Sequence, residues 1–145
     1  MPQVKLNVKL LDVTKDAVSI IYAACRQCYS PKFAADLIEE VKSDTKKQED
    51  FVRKVVASGH ESPIEHVKFT FAIEGVSRAL THQLVRHRIA SFSQQSQRYV
   101  KATNFNYIIP PSIELDKDLK DKFIRMMEEI QKGYNEFLDG FKKKD

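Results

Sequence analysis

From Leu115 to Phe141, large apolar residues recur at the period of an α-helix: Leu115, Leu119, Phe123, Met126, Met127, Ile130, Tyr134, Phe137, Leu138 and Phe141. Gly133 and Gly140 lower the helix propensity of this stretch without breaking its period. A helix of that length presents one wide apolar stripe, and such a stripe needs cover. The cover must come from within the domain, from another chain, or from further sequence. The remaining residues have to be read with that demand in mind. With 145 residues, 42% of them hydrophobic, the chain has material for a single domain over 1–145 with a buried core, and wholesale disorder is excluded.

The upstream segments mix two periods. Val4 to Leu11 alternates Val4, Leu6, Val8 and Leu10 against polar residues, which predicts a half-buried strand. Thr14 is placed to cap a helix running to about Cys28, and Tyr29-Ser30-Pro31 interrupts it. Two short helices are expected at 33–41 and 49–57, with a charged linker at 42–48 and a stop at Ser58-Gly59. Val67, Phe69, Phe71 and Ile73 alternate as a second strand, ended by Gly75. Ser77 caps a helix expected to carry Arg78 to about His87. Ser91 to Gln97 is a polar loop, and Tyr107 to Pro111 an extended segment stopped by proline. Lys142-Lys143-Lys144 is a basic tail. These elements add up to a helix-rich α+β domain with a small antiparallel sheet.

Several function classes drop out. No apolar run approaches the roughly 20 residues that cross a bilayer, and Met1-Pro2-Gln3-Val4-Lys5 is not a signal peptide. A soluble, cytoplasmic protein with no membrane partner is expected. The net charge of +4 permits anionic ligands without implying a nucleic-acid partner. Cys25 and Cys28 have the spacing of a redox pair or half a zinc site. No second pair completes such a site, and the preceding residues look helical, so reduced, unbridged thiols are expected. His82 and His87 fall about 140° apart around a helix, and His60 and His66 flank a turn, so no metal site is expected. The four glycines form no phosphate-cradling loop or dinucleotide fingerprint, and no glycine-flanked serine marks a hydrolase nucleophile.

Polar function concentrates between Gln83 and Arg98. Three arginines, one histidine, three serines and four glutamines occupy those sixteen positions, with no acid among them. Arginine suits planar, bidentate recognition of phosphate or carboxylate, and a polar loop directly after a helix adds hydroxyl, amide and backbone donors. On a continuing helix, Arg78, His82 and Arg86 fall within an arc of roughly 80°, opposite Leu80 and Leu84, which could pack on a core. A solvated basic face is the plain alternative. The acid-free loop favours an anionic, hydrogen-bond-rich ligand such as a nucleotide.

Arg86-His87-Arg88, followed after seven residues by Ser96, resembles the signature of the flavin-dependent thymidylate synthases, and Ser91 and Arg98 match its longer form. The approach is similar too, through Gly59-His60-Glu61-Ser62-Pro63-Ile64-Glu65-His66, the Phe69-Thr70-Phe71 strand and Gln83. The upstream Ala24-Cys25-Arg26-Gln27-Cys28-Tyr29-Ser30 segment also matches, so the resemblance is collinear from about Val8 to Pro111. It implies a homotetrameric enzyme that converts deoxyuridylate (dUMP) to thymidylate. Methylenetetrahydrofolate gives the carbon, and NADPH gives the hydride through FAD.

Carried over by position, the resemblance implies that Ser62, Arg86, His87, Arg88 and Gln94 hold FAD. Gln83, Leu84, Val85, Arg86, Gln94, Gln95, Ser96, Gln97 and Arg98 would hold deoxyuridylate, with Arg86, Ser96 and Arg98 orienting and activating it. Two positions depart from the family pattern: Gln94 stands where many members have an acid, and Cys28 where a serine is common. Family members also continue well past the equivalent of Asp145, so a chain truncated at its C-terminus is expected. The competing readings are a truncated, non-catalytic flavin- or nucleotide-binding module and an RNA-binding module using the same basic helix and the aromatics Phe92, Tyr99 and Phe105.

Overall fold

The structure, a computed structural model, describes residues 2–142; Lys143 and Lys144 of the basic tail lie outside the described residues. It is a helix-rich α+β arrangement with one two-stranded sheet, β1 (Asn7–Val13) and β2 (Phe69–Glu74). Asn7 Nδ2 donates to Glu74 (2.7 Å) and Thr14 N donates to the Lys68 carbonyl (3.0 Å), so the strands run antiparallel. The expected strands exist, but no residue of either is buried, Leu10 and Phe71 included. Alternation fixed their pleat; it could not supply the layer that would cover one face.

The chain divides into two compact units. One is Lys9–Ala72, built on α1 (Ala17–Gln27), α2 (Ala34–Val41), α3 (Thr45–Ala57) and a 3-10 turn, Ser62–His66. Its buried side chains include Tyr22, Ala23, Cys25, Leu37 and Val41, with Tyr22 edge-on to Phe51 at 5.1 Å. Asp16, not Thr14, occupies the position before α1, in a left-handed conformation (φ 51°). Thr14 instead both accepts from and donates to the Lys68 backbone, a competing use of the hydroxyl.

The charged linker expected at 42–48 is helical from Thr45 onward. Asp44 accepts from Lys47 N (2.9 Å) and starts α3 at Thr45. Gln48 is buried there: it accepts from Ser19 Oγ (2.9 Å) and donates to the Val41 carbonyl (2.6 Å). Hydrogen bonding, which apolar periodicity does not report, holds this residue inside. Gln48→Leu leaves the part-buried Ser19 hydroxyl without its acceptor, while the Val41 carbonyl keeps Asp44 N as a donor, so it should lower unfolding free energy by about 1–2 kcal/mol. Urea denaturation followed by far-UV circular dichroism checks this.

The other unit comprises the chain up to Val8 and from Ile73 onward. Ser77 Oγ accepts from Leu80 N (3.1 Å) and opens α4 (Arg78–Leu84), as the sequence predicts. Val4 N donates to the Tyr107 carbonyl (3.0 Å), so the N-terminal segment pairs beside the extended residues near Tyr107. After α5 (Pro111–Glu114), Asp116 Oδ1 accepts from Asp118 N and Leu119 N and caps α6 (Lys117–Lys142), which runs unbroken through Gly133 and Gly140.

One flank of the α6 stripe finds its cover inside this unit. Tyr107 packs on Phe123 (6.2 Å between ring centres), and buried Gln131 accepts from Phe105 N and donates to the Ala102 carbonyl. Leu119, Met126, Ile130, Phe137 and Phe141 stay exposed along the other flank.

Candidate functional site

The signature begins where α4 ends. The helix expected to reach His87 stops at Leu84, with Val85 at its C-cap. Arg86 N donates to the Gln83 carbonyl and His87 N to the Leu84 carbonyl, both at 3.1 Å, tightening the chain into i→i−3 turns. Arg86 therefore leaves the helical surface that Arg78 and His82 share. Nor does α4 bury a side chain: Leu80 is exposed and Leu84 half-buried, so the expected core-facing side is unfilled.

Arg86, His87 and Arg88 are all exposed. Among the described residues, no ion pair involves Arg86, Arg88 or Arg98. The positive charge of these three guanidinium groups is therefore not neutralised by any ion pair among the described residues.

The segment Ser91–Ser96 has no regular structure. Gln94 Nε2 donates to Thr81 Oγ1, and Arg78 Nη1 donates to the Gln95 carbonyl (3.0 Å), so α4 holds the loop at two successive residues. Ser96 is half-buried between exposed neighbours, and its Oγ accepts from Arg98 N (3.2 Å). Val100 N donates to the Ser96 carbonyl (3.1 Å), closing a turn that presents Gln97 and Arg98, whose guanidinium lies 6.0 Å from the Tyr99 ring centre. The serine hydroxyl thus accepts a backbone bond and keeps its own proton to donate.

Gln83 through Arg98 form one continuous helix end and loop. Ser62 is described with the other unit, at the start of its 3-10 turn, next to buried Pro63. Thr81 carries no signal in the sequence, since a threonine within a helix is unremarkable until its loop partner is seen. Both cysteines are free, and burial, then the charge of neighbouring Cys28, pushes the Cys25 thiol up, away from nucleophilic readiness. Among the described residues, no group of three His, Cys, Asp or Glu side chains could hold a metal ion. No helix of the described residues is long and apolar enough to cross a membrane. Two concavities, one on the polar side of α6 around Gln131 and one between Val18 and α3, are lined by none of the signature residues.

Fold and site together define a helix-rich α+β protein with a cationic helix end and an acid-free loop. The chain belongs to the family of the flavin-dependent thymidylate synthases: the family model Thy1, thymidylate synthase complementing protein, matches residues 9–145. It is 52% identical over 139 residues to a flavin-dependent thymidylate synthase of Nitratidesulfovibrio vulgaris, covering 94% of this chain and 57% of that protein. A protein of the same name from Clostridium tetani is 50% identical over 143 residues, covering 96% of this chain and 55% of that protein. The chain thus spans somewhat over half the length of these relatives. Its fold is similar to that of the UMP/dUMP methylase PolB from Streptomyces cacaoi, solved with 5-Br dUMP (TM-score 0.59, 19% identity, 99% of this chain and 63% of that one).

Proposed function

We propose that the chain carries flavin and nucleotide recognition for the reductive methylation of deoxyuridylate to thymidylate, with methylenetetrahydrofolate as carbon donor and NADPH as reductant. The observation that carries this reading is the set of cations Arg86, Arg88 and Arg98 along the acid-free stretch, none of them in an ion pair among the described residues. That donor set fits the phosphates of FAD and of deoxyuridylate, which have no other counter-charge to meet there.

Arg86, His87, Arg88 and Gln94 hold FAD. Gln83 to Arg86 and Gln94 to Arg98 hold deoxyuridylate. Bound flavin supplies the hydride-transfer chemistry. Arg86 places positive charge where negative charge develops on the pyrimidine, Ser96 donates its hydroxyl proton to the nucleotide, and Arg98 grips phosphate. Neither cysteine has a role in this scheme, in keeping with the raised Cys25 thiol. The assembly is a cytoplasmic homotetramer acting on small molecules, without a nucleic-acid partner.

Purified protein should bind FAD, seen as absorbance near the visible flavin band, and should oxidise NADPH only when deoxyuridylate and methylenetetrahydrofolate are both supplied. Flavin and nucleotide binding without oxidation would leave a binding module. Binding of neither, with RNA affinity that falls steeply with salt, would replace this reading by the RNA-binding one.

A further inference from the structure

We propose that Thr81 and Arg78 are positioning residues that hold the signature loop so that Gln94 presents its amide oxygen to the ligand as a hydrogen-bond acceptor. The inference rests on the flavin- and nucleotide-binding reading of the loop. It starts from helical geometry: residues 78 and 81 are i and i+3, neighbours on one face of α4.

Three hydrogen bonds tie that face to the loop and close a circuit. Thr81 Oγ1 donates to the Arg78 carbonyl (3.1 Å) and accepts from Gln94 Nε2, while Arg78 Nη1 donates to the Gln95 carbonyl (3.0 Å). The circuit fixes which way the Gln94 amide points. A hydroxyl has one proton, and the Arg78 carbonyl takes it, so Thr81 meets Gln94 only with lone pairs. The Gln94 group facing it must be the NH₂ donor, because the amide oxygen there would oppose another acceptor. Among the described residues the oxygen Oε1 has no hydrogen-bond partner, and it faces away from Thr81 on a loop that carries no carboxylate.

The clamp therefore gives one of the loop's amide oxygens a fixed orientation, suited to a ligand N–H or hydroxyl. Arg78 completes the hold through the backbone. Its bond to the carbonyl of the next residue stops the loop from pivoting about Gln94. Thr81 is half-buried, so this bond is partly shielded from competing water.

The test uses the full chain and four variants. Thr81→Val keeps the shape and removes the hydroxyl, Thr81→Ser keeps the hydroxyl, Arg78→Met removes the guanidinium, and Gln94→Leu removes the amide. Trypsin cleavage of the native protein at Arg88 and Arg98, timed by mass spectrometry, reports loop mobility. Deoxyuridylate and FAD titrations report the site.

Thr81→Val and Arg78→Met should speed cleavage and weaken deoxyuridylate binding about three- to tenfold, with melting temperature unchanged and Thr81→Ser close to the parent. Adding Thr81→Val to Gln94→Leu should have little further effect on affinity, because the two act through one bond. Unchanged cleavage in both Thr81→Val and Arg78→Met overturns the clamp, as does a Thr81→Ser protein as defective as Thr81→Val. If the parent chain binds neither FAD nor deoxyuridylate, the ligand-presenting role falls with the functional reading. Cleavage rates then still decide whether the clamp exists.

Discussion

Replacing Arg86 by alanine should abolish most flavin and deoxyuridylate affinity and leave the folded protein intact. The two halves of this expectation have separate grounds. Arg86 is exposed, no ion pair among the described residues uses its guanidinium, and its backbone bond to the Gln83 carbonyl survives truncation to Cβ. The fold therefore loses nothing that alanine cannot replace, and the melting temperature should stay within about 2 °C, the shift of a neutral surface substitution. A charge-assisted hydrogen bond contributes about 1.5–3 kcal/mol. Its loss corresponds to a roughly ten- to 150-fold rise in dissociation constant for each ligand that uses it. Arg86→Lys should fall between, since an ammonium keeps the charge and loses the planar fork. Flavin retention through gel filtration and equilibrium titration with deoxyuridylate measure both. Unchanged affinity for both ligands would remove Arg86 from the site.

The largest effect on stability belongs to Gly75. Its φ is +68°, a left-handed conformation that a side chain strains, and an added Cβ would lie 1.9 Å from the Lys5 carbonyl oxygen and 2.4 Å from its carbon. Both neighbours are backbone atoms, so no rotamer change relieves the overlap. Gly75→Ala must push the chain near Lys5 away from the end of β2, at a cost of about 3 kcal/mol or more and a fall in melting temperature of roughly 10 °C.

Gly59 supplies the control. It too is left-handed (φ +87°), but nothing lies within 4 Å of an added Cβ. Gly59→Ala should therefore cost only the conformational strain, about 1 kcal/mol. Equal losses for the two alanines, read by differential scanning calorimetry, would show that the close approach at Lys5 is not what makes Gly75 necessary.

Local chemistry was legible where one or two residues decide the outcome. Ser77 as a cap, the glycines at 59 and 75 as stops, and the long period from Leu119 to Phe141 all follow from bonds or dihedral limits within a few residues. The signature Arg86-His87-Arg88 to Ser96 was equally legible, since its meaning lies in the order of residues. Legibility failed where partners are distant. Thr14 looked like a cap because its alternative, the Lys68 backbone, is 54 residues away. Residues 42–48 looked like a linker because the groups that hold Gln48 inside, Ser19 Oγ and the Val41 carbonyl, leave no mark on hydropathy.

The sequence alone determined the helix-rich α+β class, the family, and the acid-free cationic stretch from Gln83 to Arg98, because composition, period and residue order are properties of the chain itself. Tertiary structure decided three further matters: that α4 stops at Leu84, that one flank of α6 is covered by the residues around Tyr107, and that Thr81 turns Gln94. Each depends on which groups meet after the chain has folded back on itself. A hydrogen bond or a buried ring acts over a few ångströms of space, whatever the separation along the sequence.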